Sequence, residues 1–341
     1  MQLKKYEQNP ILRANPANEW ENLCVLNPAV IYDDASEEFV MLYRAAGDTD
    51  KHNIYLGLAT SKDGIHFERK SDSPVFAPSE DGSDGGCVED PRLIKMEGWY
   101  YLTYAARPYA PGRYWIENYP RPWFNPPAGG PQFLRNNDTL THLAITQDFK
   151  TYKKLGRITD SRVDDRDVIL FPEKVGGKFV RLSRPMTWCG AGYENEKPCT
   201  YIAFSDDMME WNNAKPLMQG KEWWESKKIG GSCPPIRTEK GWFHLYHGVC
   251  EEDGNYRVGA VLLDLNDPTK ILARTKKPIL SPETEYEKSG YYNGCVFPTG
   301  NVVKDGILYV YYGAADKYVC VATAPFEELL EYLGKECACA E

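Results

Sequence analysis

Residues 27–47 read NPAVIYDDASEEFVMLYRAAG. A short apolar stretch opens on Asn-Pro, an acidic turn follows, and FVMLYRA then alternates with a period near two. Two antiparallel strands joined by a turn have this pattern, and its residue types are β-formers. The unit continues into IYLGLATSKDGIHFERK, residues 54–70. The same pattern returns in EDPRLIKMEGWYYLTYAARPY, LFPEKVGGKFVRLSRP, CPPIRTEKGWFHLYHGV and CVFPTGNVVKDGILYVYYGAAD. Copies counted from Asn27, Glu89, Leu170, Ser232 and Cys295 are spaced by 62, 81, 62 and 63 residues. Turn pairs containing glycine sit between the paired strands, as hairpins require. Five copies of three or four strands, each too small to bury its own faces, predict an all-β, five-bladed β-propeller.

The ends and the long second spacing break the pattern. APFEELLEYLGKE places Phe326, Leu329, Leu330 and Leu333 at helical spacing, which predicts a short C-terminal helix. Residues 1–26 are extended and rich in Pro and Asn, suited to closing the ring. Residues 108–137 are rich in Pro, Gly and aromatics without any period, and are read as an insertion loop in a single domain spanning 1–341. Loops this long in a compact domain are functional or disordered, and this one's Trp, Tyr and Arg content suits a sugar or an interface.

Composition narrows the function. The 341 residues carry 40 Lys+Arg against 49 Asp+Glu, a formal charge of −9, which disfavours nucleic acid. No run approaches the roughly 20 apolar residues of a membrane span. The N-terminus MQLKKYEQNP has no apolar h-region, so the expectation is a cytoplasmic protein without a signal peptide. The ten cysteines form no CxxC pair and are read as reduced thiols. No His, Cys or carboxylate cluster has metal-ligand spacing, so neither a metal nor another cofactor is expected. The oligomeric state is not encoded in any motif, and a homo-oligomer is compatible with the chain.

In a propeller the first strand of each blade lines the central channel, so its polar residues matter most. The first repeat offers Asn27 and Arg44, and the second Glu89, Asp90 and Arg92. The third offers Asp165, Arg166, Asp167, Glu173 and Arg184, and the fourth Lys228, His247, Tyr256 and Arg257. The fifth offers Asn293 and Asp316. Acids and bases converging on one axis suit a polyhydroxyl or anionic ligand, because carboxylates accept from hydroxyls and guanidinium groups grip oxyanions. Singly, each has a bland reading: Asp90-Pro91 as a turn, Asp316 as a hairpin-end Asx turn, Arg166 as a surface ion pair, His247 as a core histidine.

These segments resemble glycoside hydrolase family 130. The resemblance rests on NPAVIYDD, VEDPRL, RDVILFPEK, KKIGGSCPP, VGAVLLDLNDP and CVFPTG…YYGAAD, and runs from about Tyr6 to Ala324. It implies a five-bladed propeller acting on β-mannosides, with most members inverting phosphorylases that release α-mannose 1-phosphate. It implies that Asp90 is the catalytic acid, protonating the glycosidic oxygen through the 3-hydroxyl of the mannose being cleaved. Asn27, Arg44 and Asp316 match positions that hold mannosyl hydroxyls, with Glu89 and Arg92 beside them as substrate-binding candidates. Arg166, Arg184 and Lys228 match a phosphate grip, with His247 and Tyr256 as further phosphate contacts. The implied partners are a small oligosaccharide and inorganic phosphate as co-substrate.

Physical chemistry supports the basic trio. Phosphate carries close to two negative charges near neutral pH, and two guanidinium groups and an ammonium offset its charge and desolvation. Phosphate is then the nucleophile, whereas an inverting hydrolase needs a second carboxylate to activate water. Asp165, Asp167, Glu173 and Glu225 lie near the trio in sequence, so an inverting β-1,2-mannosidase is the alternative reading. A non-catalytic glycan-binding propeller is the third.

Overall fold

The structure is a computed structural model and describes residues 1–80 and 82–339. It contains five antiparallel meanders. The first runs through Cys24–Asp33, Glu38–Ala46, Ile54–Ser61 and Glu68–Arg69. The second uses Cys87–Met96, Trp99–Arg107, Leu140–Thr146 and Lys153–Arg157, and the third Asp165–Leu170, Phe179–Pro185, Thr200–Ser205 and Asn212–Met218. In the fourth, Lys228–Gly231 and Ile236–Thr238 share the partner Gly241–Val249, followed by Tyr256–Leu263 and Ile271–Arg274. The fifth runs through Val296–Lys304, Ile307–Ala314 and Tyr318–Pro325. Its fourth strand is Lys4–Lys5 from the other end of the chain, with Lys4 opposite Thr323 and Lys5 opposite Ala322. The first two meanders are joined into one sheet by a single parallel pair, Ile54 with Cys87.

First strands of neighbouring meanders pack together. The fifth returns to the first: Thr299 Oγ1 donates to Pro28 O at 3.0 Å, and a Cβ on Gly300 would lie 2.5 Å from Val30 N. Between meanders lie apolar clusters such as Leu42, Leu56, Val88, Leu102 and Tyr104, all buried, which remove large aromatic and aliphatic areas from water. The C-terminal helix spans Phe326–Glu336, and Phe326, Leu329, Leu330 and Leu333 are its buried residues, the positions its spacing indicated.

A repeated polar device holds the meanders. In four of them a buried tyrosine on the second strand donates to a buried carboxylate that precedes the first strand. That carboxylate also takes a cation from the outermost strand. Tyr43 bonds Glu21 at 3.0 Å, and Arg69 bonds Glu21 at 2.9 Å. Tyr104 and Lys154 share Asp84 at 3.1 and 2.7 Å. Tyr246 and Arg274 share Glu225 at 2.7 and 2.6 Å. Tyr312 and Lys5 share Glu287 at 2.9 and 2.8 Å. Each buried charge is paired and hydrogen-bonded, the condition under which burial is tolerated. In the third meander Ser183 occupies the tyrosine's place in the aligned strands. Glu225, a candidate water-activating acid by sequence, is thus a structural carboxylate, fully buried.

None of the ten cysteines is paired. Of the C-terminal tail KECACAE, Ala340 and Glu341 lie outside the described residues, as does Asp81 within the chain. Among the described residues no helix is long and apolar enough to cross a membrane, and no three His, Cys, Asp or Glu side chains are grouped to hold a metal.

Candidate active site

The side chains that follow the tyrosine of the repeated device point to the opposite face of each sheet, because strand side chains alternate. These residues are Arg44, Ala105, Arg184, His247 and Gly313. They lie at or beside a cavity of about 380 Å³. Its wall includes Asn27, Arg44, Glu89, Asp90, Arg166, Asp167, Arg184, Lys228, Tyr256 and Asp316, together with Arg107, Arg121, Tyr114 and Phe297. Six basic and four acidic side chains line it, a local positive excess inside a protein of net charge −9.

Bulges aim the key side chains inward. Pairing of the first with the second strand skips between Leu26 and Ala29, between Glu89 and Arg92, and between Arg166 and Ile169. The first extra residue in each is Asn27, Asp90 and Asp167, with φ of 44°, 49° and 53°. A bulge bends the strand and re-aims a side chain, and Asn and Asp tolerate the left-handed region better than most residues. Asp316 reaches the cavity differently. Ala315 and Asp316 both have positive φ, 49° and 55°, in the turn between Ala314 and its strand partner Tyr318, where Lys317 N donates to Ala314 O at 3.0 Å.

Asp90 Oδ1 accepts from Asn27 Nδ2 at 2.7 Å and from Arg44 Nη1 at 2.8 Å. Oδ2 has no protein hydrogen-bond partner among the described residues. Asn27 Oδ1 is buried without a hydrogen-bond partner among the described residues. Arg44 Nη1 also lies 3.1 Å from Glu89 Oε2. Burial pushes the Glu89 carboxyl up, but Arg44 and Arg107 outweigh it and hold the group at about 2. Cys87 Sγ donates to Glu89 Oε1 at 2.9 Å. Burial, with Asp90 nearby, raises Asp316 above the usual carboxylate range despite Arg44.

Arg166, Arg184 and Lys228 make a further part of the wall basic. Arg166 is held by Asp164 through two bonds, 2.6 and 2.8 Å. Arg184 Nε donates to Asp167 Oδ2 at 2.6 Å. Burial raises the Asp167 carboxyl, but Arg184, His247 and Arg92 together hold it well below the usual range. Lys228 Nζ sits 5.3 Å from the Tyr256 ring centre, with no carboxylate in ion-pairing reach among the described residues. Burial and the neighbouring Arg184 pull its ammonium down to about 7.

Arg92 and His247 do not line the cavity. Arg92 is buried behind it, donating to Asp90 O at 2.8 Å and Ser232 O at 3.1 Å. His247 is fully buried, with Nδ1 3.3 Å from Ser232 Oγ and Nε2 3.5 Å from Asp167 Oδ2. Burial drives its imidazole down to about 3, so it is neutral at physiological pH. The sequence's expectation of direct ligand contact by these two therefore gives way to a place behind the wall. Glu173 pairs with Arg237 at 3.4 Å, Arg257 with Asp253 at 2.5 Å, and Asn293 Oδ1 accepts from Gly290 N at 3.1 Å. None of the three lines the cavity. Asp165 also faces away: it is buried 3.9 Å from Arg181, and burial raises its carboxyl to about 6.

The profile of the family described as beta-1,4-mannooligosaccharide phosphorylase, glycoside hydrolase family 130, matches residues 2–118 and 135–335. The chain belongs to glycoside hydrolase family 130. Among relatives, it is 37% identical over 335 residues to a 1,2-beta-oligomannan phosphorylase of Thermoanaerobacter sp. (strain X514), covering 96% of this chain and 99% of the relative. A beta-1,2-mannobiose phosphorylase of the same organism is 35% identical over 339 residues, covering 96% and 98%. The solved beta-1,2-mannobiose phosphorylase of Listeria innocua, in complex with beta-1,2-mannobiose, superimposes with a TM-score of 0.77 at 27% identity over 98% of this chain and 99% of that one.

Sequence reasoning on this family-130 chain missed Arg107, Tyr114, Arg121 and Phe297 as lining residues. Arg107 ends an ordinary aromatic strand, and Tyr114 and Arg121 sit in a segment with no period. Of these only Arg121 lies in the stretch 119–134, which falls outside the family profile.

Proposed function

We propose that this protein is an inverting β-mannoside phosphorylase, a single-domain five-bladed propeller that releases α-mannose 1-phosphate. The observation that carries this reading is the wall of Arg166, Arg184 and Lys228, with the Lys228 ammonium uncommitted to any carboxylate among the described residues. An oxyanion is the ligand that such a wall fits. Asp165, Glu173 and Glu225, the nearby acids that could activate water, face elsewhere. Asp167, the one that lines the cavity, is committed to Arg184. The family and the printed activities of its relatives support the same reading and favour β-1,2-linked manno-oligosaccharides.

In this mechanism phosphate, held by the basic wall, attacks C1 of the mannosyl unit from the face opposite the leaving sugar. The C1–O glycosidic bond breaks as the new C1–O–P bond forms, inverting β to α. Asp90 supplies the proton from Oδ2 to the 3-hydroxyl of the mannosyl unit, which passes its own to the departing oxygen. Asn27 and Arg44, both bonded to Oδ1, hold the carboxylate that results. Arg92 and His247 act as positioning residues behind Asp90 and Asp167. A cytoplasmic setting, where phosphate is abundant, suits the reaction.

The test is turnover of β-1,2-mannobiose with and without phosphate. Phosphate-dependent cleavage into equal amounts of mannose and mannose 1-phosphate is the expected result. Free mannose formed at the same rate in phosphate-free buffer would sink it.

A further inference from the structure

The segment 108–137 has few regular elements, only the short helix Gln132–Asn136, yet it is fixed at many points. Gly112 N donates to Lys51 O at 2.9 Å, Tyr119 Oη to Asp50 Oδ1 at 2.8 Å, and Arg113 pairs with Asp48 at 2.8 Å. Trp115 packs on His52 and Tyr291, with ring centres 4.8 and 4.4 Å apart. Trp123 Nε1 donates to Ala110 O at 2.9 Å. Gly112, at φ +71°, lets the two limbs meet: a Cβ there would lie 3.2 Å from both Arg121 Cγ and Trp123.

These anchors bring Tyr114 and Arg121 to the cavity. Much of Tyr114 is exposed, but its hydroxyl turns inward and donates to Asp316 Oδ2 at 3.0 Å. Burial and Asp316 raise that phenol well above its usual range, so it stays a donor. Arg121 stacks over Phe124 at 5.3 Å and has no carboxylate partner among the described residues. Every other arginine of the cavity wall is bound to an acid: Arg44, Arg107, Arg166 and Arg184.

We propose that this segment builds the subsite for the leaving sugar, with Arg121 and Tyr114 as its specificity-determining side chains. The inference rests on the phosphorylase reading. In an inverting displacement the nucleophile and leaving group lie on opposite faces of C1. The basic wall takes phosphate, so the leaving sugar belongs on the side of the acid Asp90, beyond the mannosyl unit that Asn27, Arg44 and Asp316 hold. Tyr114, bonded to Asp316, stands at the border of the mannosyl site, and Arg121, packed near Gly112, lines the same cavity. The guanidinium donates to hydroxyls of the leaving sugar, and the Tyr114 ring flanks it. Arg121 lies in the stretch 119–134 that the family profile does not match, so this subsite distinguishes the chain within its family.

Synthesis from α-mannose 1-phosphate tests it, with mannose and β-1,2-mannobiose as acceptors. Arg121→Ala should raise the acceptor KM about tenfold, the scale of a lost charge-assisted hydrogen bond. The KM for α-mannose 1-phosphate should stay within about twofold on the same argument. Arg121→Lys should recover part of the loss. Replacing 119–134 by a short Gly/Ser linker, with folding checked by circular dichroism, should alter the ranking of the two acceptors. An unchanged acceptor KM and ranking in both variants, or an equal rise in both KM values, overturns the subsite. If the wild-type enzyme makes no oligosaccharide from any acceptor, the phosphorylase reading itself has failed, and this inference with it.

Discussion

Arg44 holds Glu89 and Asp90 with one nitrogen: Nη1 lies 3.1 Å from Glu89 Oε2 and 2.8 Å from Asp90 Oδ1. Two adjacent acids in a buried wall would repel each other, and this guanidinium offsets that repulsion while fixing which oxygen of Asp90 remains free.

Replacing Arg44 by Met should therefore cost more than a sugar contact. We expect kcat/KM to fall by about 100-fold or more, the range for a buried charged partner removed from a catalytic group. Glu89 contributes stability because its folded pKa, about 2, lies below the unfolded value. That contribution is present above the unfolded pKa and is lost as pH falls toward 2. In Arg44→Met it should disappear, so urea unfolding at pH 7 and at pH 4 should differ less than in the parent.

Lys228 should give phosphate affinity a pH dependence. Its ammonium, lowered to about 7, loses its charge as pH rises through neutrality. Sulfate, which does not titrate there, isolates the effect from the ionisation of phosphate itself. The inhibition constant of sulfate against phosphate should rise between pH 6 and about 8. In Lys228→Met, inhibition should be weak and flat with pH.

Gly230 should tolerate no side chain. A Cβ there would lie 2.2 Å from Asp167 Oδ2 and 2.7 Å from Arg184 Nε. Gly230→Ala should destabilise the fold by about 1–3 kcal/mol, as overpacking does. It should also raise the KM for phosphate about tenfold or more through displacement of Arg184, the scale of a lost charge-assisted contact. Thermal unfolding and initial rates at varied phosphate separate the two effects.

Asp165 should behave in the opposite way. Its folded pKa, raised to about 6, lies above the unfolded value, so the folded state favours the protonated acid. Its contribution is most favourable below the unfolded pKa and is lost as pH rises through about 6. Asp165→Asn should remove that loss and leave the KM for phosphate within about twofold, because the side chain faces away from the cavity. A large change in phosphate KM would place Asp165 in the site.

Much of this was legible in the chain. Alternation and glycine turns fixed the positions of the meanders, and the Phe326–Leu333 spacing fixed the last helix, because both depend on local periodicity. Asn27, Asp90 and Asp316 stood out through the motifs that resemble family 130, since turn chemistry alone gave Asp90 and Asp316 a bland reading. The orientation of Asp165 against Asp167 was not legible. A bulge shifts which neighbour faces inward, and bulges depend on the pairing partner, which the local sequence does not specify. Glu225 was misleading for a similar reason: its partners Tyr246 and Arg274 are 21 and 49 residues away. Tyr114 and Arg121 belong to a segment whose shape is set by contacts with residues 48–52, far off in sequence.

The central claim is that phosphate, not water, attacks C1. It is tested most directly by cleaving β-1,2-mannobiose with phosphate in ¹⁸O-enriched water and reading the products by mass spectrometry and NMR. The account expects α-mannose 1-phosphate without ¹⁸O at C1 as the product from the cleaved mannosyl unit. Mannose carrying ¹⁸O at C1 as the main initial product would contradict it.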